Sequence, residues 1–218
     1  RTNYYMPNVI KSDLNQKFES YKYNKPPMIG FMGRLSAEKG VDCLLKALNI
    51  LKRKKIEFNA IIAGDGPCRK KLVTEAKLLN LTNDVKFIGW IDNKDQFFTN
   101  IDIFTLPSTI EHFSIVVLEA MKAGKAIISS NTDGPKEVLQ DNYEALIFKK
   151  NNHQQLAQHL EKIISANELA NKLARNAHDK LLKNFTHDCI AKQMTSYLQK
   201  IYDEYYKNLA EEKIQKTA

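Results

Sequence analysis

The chain has 218 residues, of which 43% are hydrophobic and 27% are charged, and its net charge is +8. This composition is typical of a globular protein with a sizeable core, and no apolar run is long enough to span a bilayer. Because the positive charge forms no basic block interleaved with aromatic residues, it favours a phosphorylated ligand or an anionic membrane surface over nucleic acid.

Residues 1–27 contain Pro, Asn, Lys and Tyr with little periodicity, and we predict a connector that leads into a domain. Beyond them, short apolar runs alternate with helical periodicity, as expected of buried parallel strands and the helices that join them. The predicted strands cover 28–33, 58–64, 85–89, 101–107, 125–130 and 145–148. The predicted helices cover 41–55, 68–80, 95–100, 114–124, 134–140, 152–165, 168–184 and 188–209.

This alternation predicts an α/β fold, namely a Rossmann-like, doubly wound parallel sheet of about six strands with helices on both faces. We place the domain at 28–186, a helical C-terminal extension at 187–209 and a frayed tail at 210–218. Open sheets of this kind bind ligands where the carboxyl ends of their strands meet. We therefore expect the functional residues in the loops that follow the strands.

Two glutamates, eight positions apart, follow the fourth predicted strand. Glu111 falls in the loop after the strand, and Glu119 falls in the next helix, for which Ser114 is a suitable N-cap. Their place at the carboxyl edge favours a role in ligand binding. Spacing alone leaves an alternative open, in which Glu111 is a solvated loop residue and Glu119 is an exposed helix residue, because most carboxylates are exposed.

The loop after the first predicted strand holds two basic residues between two glycines. Gly33 allows the backbone to turn sharply beside a ligand. Arg34 and Lys39 supply a forked guanidinium and an ammonium next to a helix N-terminus, which itself favours anions. These features predict a diphosphate site, and the alternative is a surface salt bridge between Lys39 and Glu38.

Two further loops are less specific. Residues 64–67 (GDGP) lack the third glycine of a dinucleotide fingerprint, because Arg69 stands in its place, so a tight strand-to-helix turn is the better interpretation of Gly64. Trp90 and Ile91 follow the third strand. The Trp90 ring could flank a nucleotide base or merely cover the core.

Together these loops resemble the C-terminal, donor-binding domain of retaining glycosyltransferases of the GT-B fold, family 4, also called glycosyl transferases group 1. The paired glutamates are specific because the Gly-Arg…Lys-Gly loop accompanies them, and either feature alone would be weak. The resemblance spans about residues 7–164, in the family's order and spacing. Its segments are GRLSAEKG (33–40), IAGDGP (62–67), VKFIGW (85–90), EHFSIVVLEAMKAGKAII (111–128) and GPKEVL (134–139).

The resemblance implies roles for four charged side chains. Arg34 and Lys39 match the basic pair that neutralises the diphosphate leaving group. Glu111 matches the glutamate that faces the transferred sugar. Glu119 matches the one that binds the ribose hydroxyls, and carboxylates are well suited to accept hydrogen bonds from hydroxyl groups.

The resemblance also implies contacts made partly through main-chain atoms. Sugar and phosphate are expected against the start of the helix, at Phe113, Ser114 and Ile115. The base is expected at the ends of the second and third strands, at Gly64, Trp90 and Ile91. His112 stands where the family often has Gly, and we predict a local substitution rather than a catalytic base.

The implied function is the donor-binding half of a retaining enzyme that transfers a hexose-type sugar from a nucleoside-diphosphate sugar to a glycan or lipid-linked acceptor, as in polysaccharide or lipopolysaccharide biosynthesis. A UDP-sugar is favoured as donor, and no cofactor or metal is expected, since no D-x-D carboxylate pair occurs. The three cysteines lack metal-ligand spacing, which indicates a reducing compartment and no structural zinc.

The implied partner is an N-terminal acceptor domain. Residues 7–10 (PNVI) resemble the end of the hinge, and the last long helix resembles the one that crosses back to that domain. We expect a cytoplasmic protein, with peripheral contact at the anionic inner face of the plasma membrane left open. The isolated chain is expected to bind a nucleoside diphosphate but to transfer little sugar.

The same sequence features allow three alternative functions. A Rossmann-like module that binds nucleotides or partners without chemistry is the main alternative. A dinucleotide oxidoreductase is disfavoured by the incomplete glycine fingerprint. A glycosidase would use Glu111 and Glu119 as its acid/base pair.

Overall fold

The computed structural model describes Ile10, Phe18, Ser20, residues 26–112 and residues 114–215, with side chains up to Lys207. Most of the predicted connector, and Phe113 among the candidate site residues, therefore lie outside the described residues.

Six parallel strands form one sheet in the order β3-β2-β1-β4-β5-β6. The strands are β1 (Met28–Met32), β2 (Asn59–Ala63), β3 (Val85–Gly89), β4 (Ile103–Leu106), β5 (Ala126–Ser130) and β6 (Leu146–Phe148). The winding direction reverses between β1 and β4, which leaves a crevice at their carboxyl ends. The predicted Rossmann-like parallel sheet is confirmed.

Eight α-helices join and follow the strands within the described residues. They are α1 (Val41–Arg53), α2 (Arg69–Leu78), α3 (Lys94–Thr99), α4 (Ile115–Lys122), α5 (Asp133–Val138), α6 (His153–Ser165), α7 (Asn167–Asn184) and α8 (His187–Gln215). A short 3-10 turn, Ala37–Lys39, precedes α1.

Each face of the sheet has its own apolar core. On one face, α1, α2 and α6 pack over alternate strand residues such as Ile29 and Phe31. On the other, α3, α4 and α7 pack over Met32 and Phe104. Gly30 belongs to the second face, where a side chain would collide with Ile101. Two-sided burial explains why the central strands are continuous apolar runs, whereas β3, at the edge of the sheet, exposes Lys86 and Ile88.

The last helix differs from the prediction at its C-terminal end. We predicted a helix to residue 209 and a frayed tail, whereas α8 continues to Gln215. The added segment consists mainly of Ala, Glu, Lys and Gln, which are strong helix formers. None of the helices in the described part of the chain is both long and apolar enough to cross a membrane.

Candidate functional site

The loops after β1, β2 and β3 are joined edge to edge at the carboxyl end of the sheet. The Gly33 N–H donates to the Ala63 carbonyl at 3.1 Å, and the Leu35 N–H donates to the Asp65 carbonyl at 2.8 Å. These main-chain bonds continue the β1–β2 pairing beyond the strands. They hold the loop that contains Arg34 in a fixed position over the edge.

Gly64, in the loop after β2, allows these loops to pack closely together. Gly64 has a φ of +121°, and an added Cβ there would overlap the Gly33 carbonyl oxygen. Its N–H donates to the Gly89 carbonyl at 2.6 Å, which ties the β2 loop to the end of β3. Residues 64–67 therefore form the tight strand-to-helix turn that the sequence favoured.

The structure brings Lys39 and Glu111 together across the junction of β1 and β4. The Lys39 Nζ lies 2.7 Å from Glu111 Oε2, and the two side chains are 23% and 10% exposed. Gly40, with a φ of +63°, allows this approach because an added Cβ would overlap the Pro107 carbonyl oxygen. Lys39 thus pairs with the candidate catalytic carboxylate, and not with Glu38 as the surface-salt-bridge alternative required.

Further hydrogen bonds fix the loop that bears Glu111. The Ser108 hydroxyl donates to Glu111 Oε2 at 3.2 Å. The Gly134 N–H, at the start of α5, donates to the Glu111 carbonyl at 2.9 Å, and the Thr109 N–H donates to the Glu38 carbonyl at 2.7 Å. Glu111 is therefore a mostly buried residue held by three segments of the chain, rather than a solvated loop residue.

Glu119 lies in α4 and has a lysine partner of its own. Lys94, the first residue of α3, places its Nζ 2.7 Å from Glu119 Oε1. Glu119 is 15% exposed, whereas Lys94 is 53% exposed. The alternative of an exposed helix carboxylate is therefore wrong for Glu119.

Glu119 and Lys94 line an open cleft of about 1040 Å³ between α3 and α4. The cleft extends from Asp92 and Asn93, near the carboxyl edge of the sheet, to Lys125 at the amino end of β5. Burial lowers the pKa of Lys125, although the nearby charge of Asp102 acts in the opposite direction. Burial also raises the pKa of Asp102. Arg34, Lys39 and Glu111 are not among the residues that line the cleft.

The tryptophan after β3 does not cover the core. Trp90 is 76% exposed, and its Nε1–H donates to Asp92 Oδ1 at 3.1 Å. Ile91 instead packs against the core on the α3 and α4 face. The indole ring is therefore presented to solvent beside the entrance of the cleft, where Asp92 also lies.

The start of α4 faces the same loop cluster. Ser114 is the buried N-cap, with extended backbone angles and no side-chain bond to the helix amides, and Ile115 is half exposed. The first amides of an α-helix lack intrahelical acceptors and favour anions. Gly124 closes the helix with a φ of +63°, as predicted.

Arg34 and Lys94 show where sequence reasoning was less complete. Arg34 is exposed and forms no ion pair with a described residue, so the structure places it at the edge without fixing its guanidinium. Lys94 was missed, because a lysine at the start of a short helix has no distinctive spacing. No group of three or more His, Cys, Asp or Glu side chains that could hold a metal occurs in the described ranges.

Comparison with known proteins places this geometry in a family. The model of the family "Glycosyl transferases group 1" matches residues 12–180. The chain is 28% identical over 173 residues to the lipopolysaccharide core biosynthesis glycosyltransferase LpsE of Rhizobium meliloti, covering 79% of this chain and 49% of that protein.

A second relative covers more of the chain. The N,N'-diacetylbacillosaminyl-diphospho-undecaprenol alpha-1,3-N-acetylgalactosaminyltransferase of Campylobacter jejuni is 29% identical over 206 residues, covering 94% of this chain and 52% of that protein. The crystal structure of HepE from Anabaena in complex with UDP has a TM-score of 0.74 and 26% identity, covering 79% of this chain and 48% of that one.

The chain spans about half the length of the curated relatives it matches. The family match covers more than three quarters of the chain and includes β1 through α6, with both lysine–glutamate pairs. The chain therefore belongs to the glycosyl transferases group 1 family.

Proposed function

We propose that this chain is the donor-binding half of a retaining glycosyltransferase that takes a hexose-type sugar from a nucleoside-diphosphate sugar. The observation that supports this most is the Lys39–Glu111 pair at the carboxyl edge. A cation for a diphosphate and an acceptor for sugar hydroxyls stand in contact there. In a nucleoside-diphosphate sugar the diphosphate and the sugar hydroxyls are likewise adjacent, because the β-phosphate is bonded directly to the sugar.

The proposed chemistry is stabilisation of the leaving diphosphate. As the bond between the sugar and the β-phosphate breaks, negative charge grows on the phosphate oxygens. Lys39, held by Glu111, supplies preorganised positive charge, the exposed Arg34 adds a second cation at the same edge, and the N-termini of α1 and α4 add oriented amide dipoles. This charge stabilisation requires no metal, and Glu111 orients the sugar by accepting hydrogen bonds from its hydroxyls.

The nucleoside is proposed to occupy the entrance of the cleft between α3 and α4. Glu119 would accept hydrogen bonds from the ribose, and Trp90 and Ile91 would flank the base together with the backbone at Gly64. UDP is the favoured nucleotide because HepE, a relative by fold and sequence, was crystallised with UDP and with UDP-glucose.

The acceptor and cellular role follow from the relatives more than from the site. One relative acts in lipopolysaccharide core biosynthesis and another on a diphospho-undecaprenol substrate. We therefore propose a glycan or lipid-linked acceptor, bound by an N-terminal domain of the whole enzyme. The net charge of +8 is compatible with contact at the anionic inner face of the plasma membrane.

Isothermal titration calorimetry of this chain with UDP, GDP and ADP tests the nucleotide site. We expect wild type to bind one nucleoside diphosphate in preference to the others, and Glu119→Ala to weaken that binding about tenfold by removing a charged hydrogen-bond acceptor. Glu161→Ala is the matched control, since Glu161 is a helical glutamate paired with Lys54 at 2.6 Å on the α6 face. Absence of binding by all three nucleotides would refute the proposal.

The retaining mechanism needs the whole enzyme. Proton NMR of the first product formed from an α-linked nucleotide sugar would distinguish the outcomes, and we expect an α-linked product. A β-linked product would refute retention, and persistent nucleotide binding without any transfer would favour the non-catalytic module.

The glycosidase alternative is disfavoured by the geometry. A glycosidase pair flanks one scissile bond from a shared cleft. Here Glu119 lines the α3–α4 cleft, whereas Glu111 does not, and each carboxylate is bound to a different lysine.

A further inference from the structure

The Lys94–Glu119 pair points to a function for a residue outside the sequence-predicted site. We infer that Lys94 is a positioning residue that orients the Glu119 carboxylate toward the ribose of the donor nucleotide. The inference rests on the proposed function and extends it, because it explains how a carboxylate in an open cleft is kept in one orientation.

The geometry leaves one carboxylate oxygen for a ligand. The Lys94 Nζ bonds to Glu119 Oε1 at 2.7 Å, a short charge-assisted hydrogen bond. Oε2 accepts no hydrogen bond from a protein donor among the described residues, and Glu119 is one of the residues that line the cleft. A vicinal ribose diol could then donate to Oε2 without first displacing the lysine.

The backbone of Lys94 is held firmly even though its side chain is 53% exposed. Asn93 caps α3, with its Oδ1 accepting the Gln96 N–H at 2.9 Å. Phe97 and Phe98 bury the inner side of the same helix. An ammonium group on such an anchored turn can orient the Glu119 carboxylate more precisely than an ammonium group on a free loop can.

The other charged groups around the cleft do not share this contact. Lys122 and Lys125 line the same cleft, yet neither forms an ion pair with Glu119. Asp92 accepts a hydrogen bond from the Trp90 indole N–H, and Asp95 is the second residue of α3. Among the described residues, Lys94 is the cation within ion-pair distance of Glu119.

A comparison of two ligands isolates the ribose contact. UDP and 2′,3′-dideoxy-UDP differ only in the ribose hydroxyls, so the ratio of their affinities measures what Glu119 contributes. We expect Lys94→Met to weaken UDP binding about tenfold, or ~1.4 kcal/mol, while 2′,3′-dideoxy-UDP binding changes less than twofold. Lys94→Arg should restore most of the UDP affinity.

Two controls separate positioning from general charge effects. Lys122→Met removes a lysine from the same cleft and should leave both affinities unchanged. In a Glu119→Ala background, Lys94→Met should have no further effect, because the two residues act as one unit. Circular dichroism melting curves establish that each variant is folded.

Equal losses for UDP and 2′,3′-dideoxy-UDP in Lys94→Met, or no loss for either, would overturn the inference while the proposed function stands. Absence of nucleoside diphosphate binding by the wild-type chain would overturn the proposed function, and the inference with it.

Discussion

The two lysine–glutamate pairs of the carboxyl edge have the same chemistry and different surroundings. Lys39–Glu111 is 23% and 10% exposed, whereas Lys94–Glu119 is 53% and 15% exposed. Glu111 is also bound by the Ser108 hydroxyl and, through its carbonyl, by the Gly134 amide. Among the described residues, the Glu119 carboxylate accepts a hydrogen bond from one protein donor, Lys94.

The difference separates two demands on a donor site. Groups that stabilise developing charge are most effective when they are fixed before the reaction begins. Groups that bind the nucleoside need to be complementary to the bound ligand, but not to charge that develops during the reaction. The buried pair therefore suits the proposed bond-breaking step, and the exposed pair suits recognition.

The largest expected effect comes from disturbing the backbone that supports the buried pair. Gly40→Ala places a Cβ on the Pro107 carbonyl at a φ of +63°. We expect the free energy of unfolding to fall by about 3 kcal/mol, from left-handed strain plus overpacking. Urea denaturation of the purified chain measures it.

Gly89→Ala is the matched control beside the exposed pair, since Gly89 has a φ of +75° and open space around the added Cβ. Strain alone should cost about 1 kcal/mol there. Equal decreases in the free energy of unfolding of the two variants would show that the backbone at Gly40 is no more tightly packed than the end of β3.

The next largest effect distinguishes the two lysine–glutamate pairs by the ligand group that each is proposed to bind. Lys39→Met should weaken pyrophosphate and UDP alike, each by about thirtyfold, because a charge-assisted contact to phosphate contributes about 2 kcal/mol. Lys94→Met should leave pyrophosphate binding unchanged. Calorimetry with pyrophosphate measures both, and an equal loss in the two variants would contradict the assignment of separate functions.

The smallest effect has the opposite sign. Glu111→Gln removes a negative charge 2.7 Å from the Lys39 ammonium, and so leaves that cation more available to a phosphate. We expect UDP affinity to rise about twofold to threefold, less than 1 kcal/mol at the modest energies of partly solvated charges. Glu119→Ala should weaken UDP binding instead. Weaker UDP binding in Glu111→Gln would mean that Glu111 contacts the nucleotide itself.

Much of the fold was predictable because β1, β4 and β5 are buried on both faces and therefore appear as uninterrupted apolar runs. The runs at 28–33 and 58–64 correspond to β1 and β2, trimmed by one or two residues. The strand order was not predictable from spacing, since it depends on which face each crossover helix packs against. The end of α8 was misjudged because its charged residues are also good helix formers.

The site was predictable where function restricts residue type and spacing, as at Lys39 and Glu111. The partnership of those two side chains, 72 positions apart, required the three-dimensional structure. The sequence also left the exposure of Trp90 open, because an aromatic residue at a strand end fits a core position as well as a surface one. Lys94 lacked any pattern, and only its contact with Glu119 distinguishes it from other surface lysines.

The exposed indole of Trp90 has a practical consequence. The sequence contains one tryptophan, and it stands beside the proposed nucleoside site with its ring in water. Emission excited at wavelengths that tyrosine does not absorb therefore comes from this single position. The molecule contains its own optical reporter, and its quenching or blue shift on addition of a nucleotide would follow occupancy without an attached dye.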